Sequence, residues 1–164
     1  MGKNAPIIAD LMLAERGVHE TPGPAATARI IEYGKHTTLK PTSDEVPWCS
    51  DAMNFIIDEA RKTHPGIDLR TNSAAAISWA AWGDPVPHGH HAKGDVAVFT
   101  WRNSDGDVIG HHVAVVLQQA DKNHPNMVQV VGGNQTSSGG PDSVNIKCMP
   151  LGRAVFRRPK NFNG

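Results

Sequence analysis

The sequence predicts an α+β fold, because segments with helical periodicity come first in the chain and segments with strand periodicity come second. As far as residue 83, apolar residues recur at helical spacing. From residue 94 onward, short valine-rich runs alternate with turn residues, which is typical of antiparallel strands. A chain of 164 residues with this single change of pattern predicts one domain over 1–164.

Helices are expected in the first half of the chain. The first ends near Gly17, a natural stop for a helix. The third begins at Trp48 or Cys49, because Pro47 disfavours helical backbone at the residue before it. Its broad apolar stripe predicts that it is mostly buried. The predicted helices cover 5–17, 24–34, the segment from Cys49 to Ala60, and 73–83.

Strands are expected in the second half of the chain. The Asp-Gly turn in NSDGD (103–107) joins the first two strands as an antiparallel hairpin. The third strand ends at Gly133, within the turn-forming sequence Gly-Gly-Asn. The predicted strands cover 94–101, 111–119, 126–133, 142–149 and 152–158, of which the last two have less regular patterns.

Charge and apolar segments exclude several classes of function. Lys plus Arg and Asp plus Glu number 16 each, so the formal net charge is zero and no binding to nucleic acid is expected. The apolar stretch PIIADLMLA (6–14) is interrupted by Asp10 and is too short to span a membrane. It also lacks the cleavage site of a signal peptide. We therefore expect synthesis in the cytoplasm, no membrane insertion and two free thiols.

Cys49 is the first candidate for chemistry, since it stands at the predicted start of the third helix. Unpaired backbone N–H groups and the macrodipole at a helix start favour the thiolate, which is the nucleophilic form of cysteine. The alternative is a buried structural cysteine, because free cysteines are among the most buried residues. The second cysteine, Cys148, lies in a less regular strand and is interpreted as structural.

His112 is the candidate general base. Side chains of a strand alternate, so His112 shares a face with Ala114 while His111 points to the opposite face. A small residue at Ala114 would allow the helix of Cys49 to pack close and bring thiol and imidazole within hydrogen-bond distance. The alternative is a solvated or hydrogen-bonded histidine without a catalytic role.

Asn134 follows the third predicted strand and is the candidate for orienting the imidazole. Its amide oxygen can accept a hydrogen bond from a histidine ring, as in Cys-His-Asn hydrolases. The alternative is a plain turn, for which Gly-Gly-Asn is sufficient. Each of the three features is weak alone, but their order along the chain, with Cys at a helix start, His on a strand and Asn after the next strand, is much less expected by chance.

Seven motifs resemble those of the CHAP-type and NlpC-like cysteine hydrolases of bacterial cell walls, and in particular a set of small phage and bacterial proteins. They cover nearly the whole chain, in the order found in that group. The motifs are GVHETPG (17–23), ARIIEYG (28–34), DEVPWCSDAMN (44–54), AISWAAWG (76–83), GDVAVF (94–99), HHVAVV (111–116) and GGNQ (132–135).

The resemblance implies a papain-like fold, with N-terminal helices, the nucleophile at a helix start and a C-terminal antiparallel sheet. It implies Cys49 as nucleophile, His112 as base and Asn134 as the orienting residue. Trp48, beside the nucleophile, is expected to line the groove as a stacking surface for sugar or peptide. Gln135, in the last motif, is expected to be a second substrate contact.

The implied activity is hydrolysis of an amide bond in bacterial peptidoglycan, either between N-acetylmuramic acid and L-alanine or within the stem peptide. It requires no metal and no other cofactor. We expect a monomer that reaches the cell wall after release or delivery, as a phage lysis enzyme or an antibacterial effector. The sequence CSDAMN (49–54) departs from many relatives, which carry a small residue and an aromatic residue after the cysteine. That departure leaves the substrate detail open.

Two other functions remain open at this point. The loop HGHH (88–91), together with His111, suggests a zinc-dependent hydrolase, although no HExxH or CxxC motif accompanies it and a solvated loop is the simpler interpretation. The sequence SDGD (104–107) resembles part of a calcium loop, but a hairpin turn explains it better. A wall-binding module without catalysis is the other alternative.

Overall fold

Helices occupy the first half of the chain and a single antiparallel sheet occupies the second, so the predicted α+β class is confirmed. The computed structural model describes residues 5–119 and 122–160. The helices are α1 (Ala5–Ala14), α2 (Ala28–Gly34) and α3 (Cys49–Thr63), with 3-10 helices at Ala76–Ala81 and Leu151–Arg153. The strands are β1 (Asp84–Val86), β2 (Val96–Arg102), β3 (Val108–Gln119), β4 (Met127–Ser137), β5 (Gly140–Pro150) and β6 (Ala154–Arg158). Their order in the sheet is β1-β6-β2-β3-β4-β5.

The predicted helices and strands are present, but the bounds of several differ from the predicted ones. The β2–β3 hairpin is confirmed, and Asn103 closes its turn by accepting hydrogen bonds from the backbone N–H groups of Asp105 and Asp107. Strand β4 continues beyond its predicted end at Gly133. Strand β1 was not predicted, because it is short and contains Pro85, which is tolerated only at a sheet edge.

The first hydrophobic core lies between the helices and one face of the sheet. Helix α3 supplies Met53, Ile56 and Ile57, all at most 1% exposed, and β3 supplies Val113 and Val115. The prediction that α3 is mostly buried is therefore confirmed. In residues 5–119 and 122–160, no helix combines the length and the apolar character needed to cross a membrane.

A second hydrophobic core lies on the opposite face of the sheet. All six strands contribute side chains to it. Ala114 belongs to this core, whereas its neighbours Val113 and Val115 face the helices. The expectation that Ala114 lets the helix of Cys49 pack close is therefore wrong, because the two lie on opposite faces. The buried members are Val86, Ala97, Phe99, Ala114, Val116, Val128, Val130, Met149, Ala154 and Phe156.

Strands β3 and β4 separate next to the start of α3. Their ladder pairs Val115 with Val131 and ends there, while β3 continues beside β2 and β4 continues beside β5. Beyond Gly132, β4 contains a bulge that shifts its register with β5 before Gln135. The separation opens a gap in the sheet, through which a group on the helix side can meet a group on the second-core side.

Two glycines allow the chain to pack closely around this gap. A Cβ atom on Gly133 would lie 2.5 Å from the ring of Trp48 and 3.1 Å from the Cβ of Ala52, so β4 touches the first turn of α3. A Cβ atom on Gly132 would lie 2.8 Å from the Cβ of Ala114. The small size of Ala114 thus permits close approach of β4 rather than of α3.

Replacement of Gly133 with alanine is expected to lower the free energy of unfolding by about 1–3 kcal/mol, because the added methyl group overlaps the Trp48 ring. Urea denaturation of the variant and the parent protein measures this difference. Gly66→Ala is the matched control, since a Cβ atom there meets nothing within 4 Å. Equal stability of the two variants would contradict the close contact between β4 and α3.

Candidate active site

A groove of about 300 Å³ lies at the gap between β3 and β4. It brings together Cys49 from the start of α3, His112 from β3, and Asn134 and Gln135 from the bulge of β4. These residues are far apart in sequence, and only the split in the sheet places them around one opening. The other residues that line the groove are Pro47, Trp101, His111, Thr136, Lys147 and Met149.

Cys49 is the first residue of α3, as predicted, and its side chain is 7% exposed. Burial raises the pKa of the Cys49 thiol. Backbone N–H groups of Val113, Ser50 and Cys49 itself act in the opposite direction by donating to the sulfur, and the charge of Asp51 raises the pKa again. The net result is a protonated thiol at neutral pH, so nucleophilic attack requires a base to remove the proton.

The hydrogen bond from the Val113 backbone places the sulfur of Cys49 beside the residue that follows His112. His112 itself stands on the second-core side of β3, with its ring centroid 6.4 Å from that of Phe99. The thiol therefore reaches the groove from the helix side and the imidazole from the other side, and both line it because β3 and β4 are not paired beyond Val115.

Gln135 fixes the orientation of the His112 ring. The side-chain amide nitrogen of Gln135 donates to the backbone oxygen of Asn145 at 2.7 Å and to its Oδ1 at 3.0 Å, so Oε1 of Gln135 faces His112. Nε2 of His112 lies 2.9 Å from that oxygen and must carry the hydrogen, because a carbonyl oxygen only accepts. Nδ1 is then left without a proton and can act as a base.

The environment of His112 keeps the imidazole neutral. Burial lowers the pKa of His112, and the positive charge of Lys147 lowers it further. The hydrogen bond to Gln135 and the charge of Asp142 oppose this effect without reversing it. A neutral imidazole and a neutral thiol in one groove are the resting pair that general-base catalysis at neutral pH requires.

Asn134 lies in the groove but does not occupy the position that sequence reasoning gave it. Its Oδ1 accepts a hydrogen bond from the backbone N–H of Trp48 at 2.8 Å, and its Nδ2 donates to Asp142 at 3.0 Å. With φ at +55°, it is the residue that turns the bulge, so Gln135 rather than Asn134 faces His112. Asn134 is therefore not placed to orient the imidazole, as the sequence predicted, but anchors Trp48, the residue before Cys49.

Gln135→Ala is expected to lower kcat by about 10- to 1000-fold, because an unoriented ring reaches the productive geometry only part of the time. Loss of its hydrogen bond should also shift the acid limb of the pH–rate profile downward, since that bond raises the pKa of His112. Rates of peptidoglycan digestion, the activity that the sequence motifs imply, test both effects when measured across pH.

Asn134→Gly is the matched control for that variant, because glycine accepts the positive φ while the contact with Trp48 is lost. We expect a smaller loss of rate and no change in the acid limb. A larger loss of rate for Asn134→Gly than for Gln135→Ala would return the orienting role to Asn134.

The two predicted substrate contacts are both buried. Trp48 is 1% exposed and packs under the bulge, and its indole N–H donates to Glu20 at 2.9 Å, so it is not a stacking surface in the groove. Gln135 is 3% exposed and fully engaged by His112 and Asn145. The aromatic side chain that does line the groove is Trp101, which sequence reasoning did not single out.

Two carboxylates next to α3 were also missed. Asp44 accepts hydrogen bonds at 2.9 Å from the backbone N–H groups of Thr21 and Thr27 and so ties the preceding loops to the approach of α3. Burial raises the pKa of Asp44, but the hydrogen bonds from these N–H groups outweigh burial, so the pKa of Asp44 is lowered.

Asp51, within the first turn of α3, is fully buried, and its oxygens have no hydrogen-bond partner within the described residues. Burial raises the pKa of Asp51 to about 6.

The remaining candidates lie outside the groove, except for His111. His88 donates to the backbone oxygen of Ala154 at 2.7 Å, and His91 stacks on Phe156 with ring centroids 4.2 Å apart. Within residues 5–119 and 122–160, no three His, Cys, Asp or Glu side chains are close enough together to hold a metal ion. Cys148, interpreted from the sequence as structural, is an exposed free cysteine on β5 and lies outside the groove.

His111 requires a partial correction. It is hydrogen-bonded to Thr100 through Nδ1 at 3.1 Å, on the neighbouring strand β2. It nevertheless borders the same groove as His112, because the gap in the sheet is open to both faces of β3 at this point.

Comparison of the chain with protein-family models, with characterised proteins and with solved structures gave no match. The chemistry of this chain is therefore inferred from the geometry of the groove and from the sequence motifs.

Proposed function

We propose that the protein is a cysteine hydrolase that cleaves an amide bond of bacterial peptidoglycan, with a papain-like arrangement of helix and sheet. The observation that carries the proposal is the pairing of Cys49 and His112 in one groove, with the His112 ring held by Gln135. A structural cysteine would not need an imidazole of fixed tautomer in the same groove. The resemblance of the motifs to wall hydrolases supplies the substrate class.

In the proposed mechanism, Nδ1 of His112 takes the proton of the Cys49 thiol as the sulfur attacks the carbonyl carbon of the amide. The backbone N–H groups at the start of α3 stabilise the oxyanion that forms. The C–N bond then breaks, and His112 returns the proton to the leaving amine, which leaves a thioester on Cys49. Water attacks the thioester with His112 as base, and the carboxylic acid and the free thiol are released.

The metal-dependent alternative gains no support from the described residues, since His88 and His91 of the 88–91 loop are engaged with β6 and no group of three possible ligands is found among the residues that the structure describes. Digestion of purified sacculi distinguishes the proposed hydrolase from a wall-binding module without catalysis. Incubation of purified sacculi with the protein, followed by mass spectrometry of the soluble fraction, should reveal new amine and carboxyl termini at one amide bond. Prior alkylation of thiols should prevent their appearance, whereas a chelator should not.

Binding to sacculi without release of any fragment would favour the wall-binding module and remove the proposal. Release that survives alkylation but not chelation would favour the metal-dependent enzyme. The masses of the fragments also identify the bond, which separates an N-acetylmuramoyl-L-alanine amidase from an endopeptidase.

A further inference from the structure

We propose that Lys147, together with Thr136, forms a subsite in the groove that binds a carboxylate group of the substrate. The inference deepens the proposed function and rests on it, because it assigns an acidic peptide to the same groove. It makes Lys147 a specificity-determining residue next to the reacting groups.

The position of Lys147 follows from the register of β5. Lys147 pairs with Val130, whose side chain belongs to the second core, so Lys147 projects from the same face of the sheet as His112. Its side chain then runs along β5, and its ammonium group donates to the hydroxyl of Thr136. Both residues line the groove that contains Cys49 and His112.

The ammonium group has capacity left for a ligand. An ammonium carries three donors, and the contact with Thr136 uses one of them. Within residues 5–119 and 122–160, Lys147 forms no ion pair with a carboxylate, whereas Lys62 and Lys93 each have one. Lysines beside a catalytic groove that keep their charge unpaired are suited to an anionic substrate group.

The surrounding charges favour the same ligand. The guanidinium group of Arg153 lies 5.1 Å from the centroid of Trp101, which lines the groove, and so adds a second positive charge near it. Asp142 is the acidic residue whose charge reaches His112, but its Oδ2 is engaged by Asn134. Stem peptides of peptidoglycan carry free carboxyl groups, so an entering substrate can supply the missing anion.

The test compares two muropeptides that differ only in their free carboxyl groups, which are intact in one and converted to carboxamides in the other. For the parent protein, kcat/KM should be about tenfold or more higher for the carboxylate form, as expected of one hydrogen bond to a charged group. In Lys147→Met the ratio of kcat/KM for the carboxylate form to kcat/KM for the carboxamide form should fall to about one. Lys147→Arg should restore part of the ratio. Lys62→Met, at the other end of α3, should keep the full preference.

The ratio of kcat/KM for the carboxylate and carboxamide muropeptides separates an effect of Lys147 on substrate binding from an effect on the pKa of His112. Removal of the positive charge also raises the pKa of His112, which moves the acid limb of the pH profile upward for both muropeptides alike. An unchanged preference in Lys147→Met, or a parent protein without preference that still cleaves both forms, would overturn the subsite and leave the proposed function intact.

If the parent protein cleaves neither muropeptide, the proposed function fails and calorimetric titration of Cys49→Ala with the same pair decides the inference. Tighter binding of the carboxylate form, lost when Lys147→Met is added, supports the subsite. Equal or absent binding of both forms overturns it.

Discussion

Replacement of Cys49 with alanine is expected to reduce release of wall fragments by at least about 10⁴-fold, to the level of buffer alone. The thioester cannot form without the sulfur, and neither His112 nor the oxyanion-stabilising N–H groups can replace it. The fold should persist, because alanine fits the site and favours the helix that begins there. Fragment release by mass spectrometry, with circular dichroism to confirm folding, measures the effect.

Cys148→Ser is the control for this variant, because Cys148 is exposed on β5 and does not line the groove. It should retain most of the activity. Loss of activity in Cys148→Ser, together with activity in Cys49→Ala, would show that the nucleophile is misassigned.

Replacement of His112 with alanine is expected to reduce kcat/KM by a factor comparable to loss of the nucleophile, on the order of 10⁴ or more. The burial that raises the pKa of the Cys49 thiol leaves almost no thiolate at neutral pH, so the reaction depends on a base. A rise of the residual rate with pH is expected in His112→Ala, because hydroxide then replaces the imidazole as the base.

His111→Ala separates the two adjacent histidines. Since His111 lines the groove but is hydrogen-bonded to Thr100, we expect a change in KM of a few-fold with kcat largely kept. An equal loss of kcat in His111→Ala and His112→Ala would contradict the register that places His112, and not His111, against Gln135.

The fold class and most elements could be predicted because they follow from local patterns. The stripe of α3 and the valine runs of β2 and β3 carry their periodicity within a few residues of sequence. The start of α3 at Cys49 was predictable from Pro47, since proline restricts the residue before it. Strand β1 was not predictable from the sequence, because a strand of three residues at the edge of the sheet is too short to show a periodic pattern.

The site could be predicted only in part, for a reason that lies in strand β4. The sequence Gly-Gly-Asn suits both a turn and a bulge, and a one-residue change in register exchanges the faces of Asn134 and Gln135. Whether Trp48 faces the groove depends on Gly133, which allows the ring to pack beneath β4. These outcomes depend on contacts across more than eighty residues of chain, as in the bond between Trp48 and Asn134.

The unpartnered carboxylate of Asp51 has a consequence for how the stability of the protein depends on pH. Its pKa of about 6 lies above the value of about 3.9 for an unfolded aspartate, so the folded chain holds this proton more tightly. The stabilisation is complete below about pH 4 and is lost as the pH rises through about 6. Asp44 has the opposite effect on stability and acts at lower pH, because the fold lowers its pKa. Its contribution to stability is lost as the pH falls. At neutral pH the protein therefore holds a destabilising charge on Asp51, two positions from Cys49, and mild acid removes that charge.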